Sequence, residues 1–260
     1  MRRSALLVFG LLCACSALQQ KRSDTFLARK RLTLELIEKR DWTHAFFYAD
    51  ELHREAPDDP EVLVLRGTIY RERGLDGEAE ADLNEAIHLG DLPEAHAALG
   101  IMYDMTGRGE LAEPHHQRAV MLAKNNPAYL NNLGFSLFLR HKNQEAIAAY
   151  QRAVRMSPVT PRIRTNLGFA YAAVGDFPRA AREFEMGGPP ADAKNNLGLA
   201  YERKGDLTNA YALYIEALHL DPRCSPARAN LVYVAKKLGK DIPEDLSKEP
   251  EPPAGRSAKQ

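Results

Sequence analysis

The sequence predicts an all-α fold of about six similar helical hairpins followed by one C-terminal capping helix. Three observations lead to this fold class. Apolar residues recur at intervals of three and four, which marks one face of a helix. The same pattern returns about every 34 residues, as it does in repeat proteins. A turn signal divides each copy near its middle, so each copy is a pair of helices.

The clearest copy begins at Pro127, and its small and apolar positions return in the other copies. In this copy they are Leu130, Leu133, Gly134, Leu137, Ala146, Tyr150, Ala153 and Pro158. Downstream they are Leu167, Gly168, Tyr171, Ala180 and Phe184, then Leu197, Gly198, Tyr201, Ala210, Tyr214, Ala217 and Pro222. Upstream they are Leu99, Gly100, Tyr103, Ala112 and Ala119, then Gly67, Tyr70, Ala79, Leu83 and Ala86. A weaker first copy has Leu32, Leu36, Ala45, Leu52 and Pro57.

The turns inside the hairpins have recognisable chemistry. Glycine, which adopts positive φ without strain, ends the first helix of four copies at Gly74, Gly107, Gly175 and Gly205. Aspartate is placed to cap the second helix of three copies at Asp41, Asp176 and Asp206.

These positions resemble the tetratricopeptide repeat over Phe26 through Cys224. The resemblance implies a right-handed superhelical solenoid with a concave inner surface. We predict repeats at 26–59, 60–92, 93–126, 127–160, 161–190 and 191–224. The fifth is shorter, because the glycines and prolines at 187–190 oppose continuation of its second helix.

The C-terminal part is predicted to be a cap and a tail. Residues 225–239 form a capping helix with Leu231, Val234 and Leu238 facing inward. Residues 240–260 carry several prolines among charges and are expected to be disordered.

The N-terminus has the layout of a secretory signal, since Arg2 and Arg3 precede an uncharged apolar run through residue 18. The run is shorter than the roughly 20 residues of a membrane-spanning helix. Residues 1–14 are therefore predicted to be a signal peptide and 15–25 a linker.

The stretch Leu12-Cys13-Ala14-Cys15 resembles the lipobox of bacterial lipoproteins, with Cys15 as the lipid acceptor because small Ala14 precedes it. The alternative is an ordinary signal cut nearby. Lipidation implies membrane binding through the acyl chains on Cys15. Ser16 follows the predicted lipid acceptor, and a serine there resembles the sorting signal of lipoproteins sent to the outer membrane. The solenoid is then expected to lie in the periplasm. Cys224 would then be the only free thiol, and we interpret it as a packing residue.

A partner-binding groove is predicted on the inner faces of the first helices in the later repeats. In the family, an asparagine two residues before the conserved glycine often binds the backbone of an extended peptide, and an amide can both donate and accept. The matching positions are Asn132, Asn166, Asn196 and, in the cap, Asn230. Apolar and basic residues beside them complete the predicted groove: Phe135, Phe138, Phe169, Leu199, Tyr233, Arg203, Lys236 and Lys237.

Both parts of the groove have an alternative interpretation. Short polar side chains frequently satisfy neighbouring loop or helix-end backbone, and the asparagines would then have a structural role. Apolar side chains at helical spacing are more often packed between helices than used for binding.

Catalytic, metal and nucleic-acid functions are not indicated. The 35 basic and 35 acidic residues cancel, which removes the field that would hold a nucleic acid. Motifs for zinc hydrolysis, phosphate binding or an activated serine are missing from the sequence, so we predict a non-enzymatic protein with no cofactor and no metal site. Neighbouring His115 and His116 diverge on a helix and are expected on a solvated face. An enzyme assembled from distant residues is the second class of hypothesis.

Lipoproteins with about six such repeats resemble two groups, pilotin-like proteins of type IV pilus secretins and the lipoprotein of tight-adherence (Flp) pilus assembly. The Asn-Asn-Leu-Gly-Phe stretch at 131–135 favours the second, and the repeat count fits the first equally well. The resemblance implies a scaffold that binds a protein or peptide segment of a pilus or secretin assembly. A general periplasmic adaptor for envelope or cell-wall enzymes is the alternative.

Overall fold

A computed structural model describes residues 23–247 of the chain. Every regular element in this range is a helix, and the helices form the predicted tetratricopeptide-type hairpins, which confirms the fold class. The predictions for residues 1–22, including the signal peptide and lipidation at Cys15, lie outside the described residues. No helix within 23–247 has the length and apolar character needed to span a membrane.

The chain divides into two compact units between Lys124 and Asn125, and each is described by itself. The first unit has six helices within its described part. They are α1 (23–38), α2 (Trp42–Glu55), α3 (Pro60–Glu72), α4 (Asp76–Leu89), α5 (Pro93–Met105) and α6 (Gly109–Leu122). Those of the second unit are α7 (Pro127–Leu139), α8 (Asn143–Met156), α9 (Pro161–Ala173), α10 (Phe177–Gly187), α11 (Pro190–Arg203), α12 (Leu207–Leu220), α13 (Ser225–Leu238) and α14 (Glu244–Ser247).

The predicted turn chemistry is confirmed. The four glycines at the ends of first helices have φ between 72° and 86°. The side chains of Asp41, Asp176 and Asp206 accept hydrogen bonds from backbone amides in the first turn of α2, α10 and α12. Arg40 and His141 occupy the equivalent turn position in the two remaining hairpins, with φ of 57° and 58°. These two residues adopt the left-handed conformation without the freedom of glycine.

A glycine on each first helix from α3 to α11 lets the second helix of its hairpin approach closely. The side chain sixteen positions later, such as Tyr150 after Gly134, lies directly over the glycine. A Cβ atom added to the glycine would lie 2.6 to 2.8 Å from that side chain in all five hairpins. The pairs are Gly67 with Leu83, Gly100 with His116, Gly134 with Tyr150, Gly168 with Phe184, and Gly198 with Tyr214. Contact this close leaves no room for a larger residue.

The prediction of a disordered tail is wrong for residues 241–247. Leu246 on α14 is only 4% exposed and, together with Ile242, packs into the apolar cluster of the cap around Leu231. Side chains of the solenoid also bind the backbone of this segment. Arg228 Nη1 donates to the Leu246 carbonyl at 2.6 Å, and the Tyr211 hydroxyl donates to the Asp241 carbonyl at 2.7 Å. Two apolar side chains therefore extend the core beyond α13. The prediction for 248–260 lies outside the described residues.

Candidate functional site

The first helices of the second unit, α7, α9, α11 and α13, lie side by side, each in contact with the next. A cavity of about 410 Å³ opens at the C-terminal ends of α7, α9 and α11. It is lined by Phe138, Leu139, His141, Asn143, Phe169, Ala172, Ala173, Ala200, Arg203 and Lys204. We call it the helix-end pocket. Its volume lies in the range of roughly 300–1,000 Å³ that is usual for ligand-binding pockets.

The aromatic part of the helix-end pocket is held from behind by the core. The Phe169 ring meets the Phe184 ring in a T-shaped contact with centroids 4.9 Å apart. Phe184 is 1% exposed and lies against Gly168, so its position is determined by close packing. Buried aromatic contacts of this kind restrict the ring on the surface side. Phe169 is thus a rigid part of the pocket.

Two basic side chains of the pocket have different contacts. The Arg203 guanidinium lies 4.9 Å from the centroid of the Phe169 ring, a cation–π arrangement, and within residues 23–247 no carboxylate pairs with it. Lys204 Nζ donates at 2.7 Å to the Ala173 carbonyl at the end of α9. Lys204 is therefore engaged in capping a helix, whereas Arg203 retains donors for a ligand.

The predicted asparagine ladder is partly used for packing between helices. Asn166 Nδ2 on α9 donates to the buried Asn131 Oδ1 on α7 at 2.9 Å. Asn230 on α13 does the same to Asn195 on α11 at 3.0 Å. Asn166 and Asn230 thus bridge adjacent first helices.

The other two members of the ladder are placed differently. Asn132 and Asn196 are half-buried, and no side-chain hydrogen bond engages either of them within the described part of the chain. An amide without a protein partner can bind a peptide backbone. The ladder therefore contains two linked and two available amides.

The structure brings only part of the predicted apolar and basic groove together. Phe138, Phe169 and Arg203 line the helix-end pocket, while the remaining predicted residues lie outside its lining. Phe135 and Tyr233 are 44% and 48% exposed, and Leu199 is half-buried. Lys236 is exposed, and a hydrogen bond with Tyr233 raises the pKa of Lys237.

Several lining residues were missed by the sequence analysis. Leu139, Ala172, Ala173 and Ala200 are in the last turns of the first helices, and His141, Asn143 and Lys204 follow or flank those ends. The available signal was helical spacing, because Leu139 is four residues after Phe135 and Ala173 is four residues after Phe169. Alanine at such positions attracts no attention in a sequence, yet it leaves the space that forms the pocket.

A smaller pocket in the first unit has a different charge arrangement. Its volume is about 260 Å³, and it is lined by Lys30, Leu34, Glu61, Val64, Leu65, Leu92 and Glu94. Lys30 Nζ is already paired with Glu61 Oε2 at 2.6 Å and with Asp59 at 3.2 Å. The cation here is neutralised within the protein, which makes the helix-end pocket the stronger candidate for binding.

Comparison with known families supports the repeat assignment. A family model described as TPR repeat matches residues 136–175, and one described as Tetratricopeptide repeat matches residues 191–224. The chain contains tetratricopeptide repeats. Repeats of this type form protein-interaction scaffolds. A comparison with curated proteins gives no match.

Several solved tetratricopeptide-type structures share the fold. PilW, described as a widely conserved type IV pilus biogenesis factor, aligns with a TM-score of 0.67 and 15% identity, over 80% of this chain and 98% of its own. PilF of Pseudomonas aeruginosa aligns with a TM-score of 0.64 and 13% identity, over 82% and 99%. A chain of the APC/C hetero-tetramer Cut9-Hcn1 aligns with a TM-score of 0.64 and 20% identity. The alignment covers 80% of the present chain and 42% of the Cut9-Hcn1 chain. This chain thus spans less than half of that relative, and identities this low show the fold alone.

The histidines of the third tetratricopeptide hairpin are not on a solvated face, so that expectation is wrong. His116 is 1% exposed, takes the buried position over Gly100, and its Nε2 lies 2.9 Å from Asp104 Oδ2. His115 is half-buried, with its Nδ1 2.9 Å from the Nδ1 of His96. The side chains of His115 and His116 diverge as predicted, but each of them packs against other residues of the protein. Within residues 23–247 no group of three or more potential ligands could hold a metal ion.

This histidine contact predicts a pH-dependent stability. Burial, then the charges of His96 and His116, lower the pKa of His115 below its usual 6.5. The folded chain therefore binds fewer protons at His115 than the unfolded chain, and the free energy of unfolding should fall as the pH drops below 6.5. His53, whose pKa burial also lowers, acts in the same direction.

Urea unfolding of the chain and of a His115→Gln variant between pH 7.5 and about 5 measures this effect, the pH range being set by the ordinary histidine pKa. The variant should show a weaker pH dependence than the original chain. The comparison is confined to pH values above about 4.5, because carboxylates begin to titrate below it. Equal slopes for the two proteins would contradict the assigned role of His115.

Proposed function

We propose that this chain is a non-enzymatic, membrane-anchored scaffold that holds a segment of an envelope protein while a pilus or secretin complex assembles in the outer membrane. The observation that carries the proposal is the helix-end pocket, an apolar cavity with Arg203 at its edge, a cation that has no ion-pair partner among the described residues. Peptide recognition commonly combines an apolar anchor site with a few convergent polar groups.

The available asparagines add to this proposal. Asn132 on α7 and Asn196 on α11 could each accept and donate one hydrogen bond to the backbone of an extended segment. Backbone contacts of this kind do not depend on the partner's side chains, whereas binding in a pocket depends on the side chain that enters it. The asparagines would thus supply affinity and the helix-end pocket would supply selectivity.

The envelope location and the assembly role rest on the N-terminal sequence and on similarity. Acyl chains on Cys15 would confine the scaffold to a membrane surface and raise its effective concentration near membrane-associated subunits. The similarity to PilW, a type IV pilus biogenesis factor by its description, and to PilF favours a pilus-related assembly over a general adaptor. Holding a subunit during oligomerisation needs no chemical step.

A gene deletion complemented with lipidation variants tests the proposal. We expect secretin or pilin subunits to be present but unassembled in the deletion strain, and multimers to return with the original chain. The Cys15→Ala variant should leave the outer-membrane fraction and restore few multimers, because its tether is lost. The matched control, Cys13→Ala, should restore them fully.

Two results would count against the proposal. Normal secretin and pilin multimers in the deletion strain would reject the assembly role and leave a general adaptor as the better reading. A Cys15→Ala chain that stays in the outer-membrane fraction would reject the lipid anchor, whatever the state of the multimers.

A further inference from the structure

We propose that the helix-end pocket accepts one large apolar side chain of an extended partner segment, preferably aromatic, and that Arg203 binds a carboxylate on a residue next to it. This inference rests on the proposed scaffold function and defines the chemistry of the segment that the scaffold would hold. The partner class is therefore an acidic segment with an aromatic anchor.

The shape of the pocket favours an aromatic anchor. Phe138 and Phe169 contribute ring surface, and Ala172 and Ala200, both 3% exposed, contribute small side chains that leave the cavity open. A volume of about 410 Å³ has room for one large side chain with its adjoining backbone. Rings bury more apolar area than other side chains and lose little conformational freedom, so they benefit most from such a site.

The rigidity of the pocket wall also favours a defined anchor. Phe169 is supported by the buried ring of Phe184, and Lys204 ties the end of α9 through the Ala173 carbonyl. A preformed site avoids the cost of ordering side chains on binding. A partner side chain would therefore meet a cavity that already has its bound shape.

The charge of the pocket selects the residue beside the anchor. Its lining contains Arg203, Lys204 and His141, and no aspartate or glutamate from residues 23–247 belongs to it. Lys204 is engaged with a helix carbonyl, which leaves the Arg203 guanidinium as the cation for a partner. The cation–π contact with Phe169 places this planar group at the pocket, and a guanidinium can bind a carboxylate through two parallel hydrogen bonds.

Fluorescence anisotropy with three labelled nine-residue peptides tests the inference on the full chain purified in detergent. The first peptide has phenylalanine between two aspartates in a glycine-serine context. The second has alanine in place of phenylalanine, and the third has lysines in place of the aspartates. We expect the first to bind, and the other two to bind at least tenfold more weakly.

Two variants connect this binding to the pocket. Arg203→Gln should weaken binding of the first peptide about tenfold, or about 1.4 kcal/mol. Ala173→Leu should fill the cavity and abolish binding, with its far-UV circular dichroism and thermal unfolding checked against the original chain. Arg155→Gln, at an exposed arginine of α8 without an ion-pair partner in the described residues, is the matched control and should change nothing.

Several results would overturn the inference. They are equal binding of the aspartate and lysine peptides, no loss with Arg203→Gln, or sedimentation showing that the pocket instead mediates self-association sensitive to Arg203→Gln. Arg203 is exposed, so its variant tests the idea even if Ala173→Leu misfolds. Complementing the deletion strain with both pocket variants separates the two proposals. If the subunits stay unassembled in the deletion strain but form normal multimers with both variants, the pocket chemistry is rejected and the scaffold function stands on the asparagines and the lipid anchor.

Discussion

Replacing Phe184 with alanine is expected to lower the free energy of unfolding of the second unit by about 3–5 kcal/mol. The ring is 1% exposed and lies against Gly168 and Phe169. Removing it deletes buried apolar area and leaves a cavity between α9 and α10 that the closely packed hairpin cannot fill. Urea unfolding of the full chain, followed by far-UV circular dichroism, measures the loss.

The same substitution should also affect the helix-end pocket, because Phe169 loses its support. Phe47→Ala is the matched control, since this phenylalanine is 56% exposed and its truncation should change stability by no more than about 0.5 kcal/mol. A Phe184→Ala chain as stable as the original would show that the ring is not part of the core.

Gly134→Ala is expected to destabilise the chain by about 1–3 kcal/mol, although alanine is the better helix former. The new Cβ would lie 2.8 Å from two ring carbons of Tyr150, a side chain only 1% exposed. Neither the ring nor the α7 backbone can move away without disturbing its neighbours. Thermal or urea unfolding measures the cost.

The control for this prediction is a glycine without close neighbours. Gly77 is in α4 and has no atom within 4 Å of the position of an added Cβ, so Gly77→Ala should be neutral or stabilise the chain by about 0.4–1 kcal/mol. The Gly134→Ala cost should shrink in a Tyr150→Ala background, where the clashing ring is gone. An unchanged cost in that background would mean that the clash is not its cause.

Local signals in the chain are sufficient for the hairpins and their turns. Helical spacing, the glycines at 74, 107, 175 and 205, and the capping aspartates act within a few residues of one another, so a linear reading finds them. The repetition of these signals makes the fold class predictable, since a hairpin that exposes an apolar face can bury it only against the next.

His116 is a residue whose environment could not be predicted from its sequence neighbours. On its own sequence neighbourhood it looked solvated, whereas alignment with Tyr150 and Phe184 places it over a helix glycine. The period contained that information, but the identity of a histidine suggested a surface role. The buried carboxylate of Asp104, which lets a polar ring occupy a core position, comes from the preceding helix and is visible only in three dimensions.

Tertiary structure decided two features for the same physical reason: the packing of residues 241–247 onto the cap and the helix-end pocket. Leu246 and Ile242 are isolated apolar residues in a polar, proline-rich segment, and their burial is explained by the open side of the cap cluster. The pocket requires three helix ends, the missing volume of alanines, and an arginine placed over a ring from another repeat. Periodicity determines which residues form each helix, but the empty space between helices and the partners of a charge depend on distances that no segment contains.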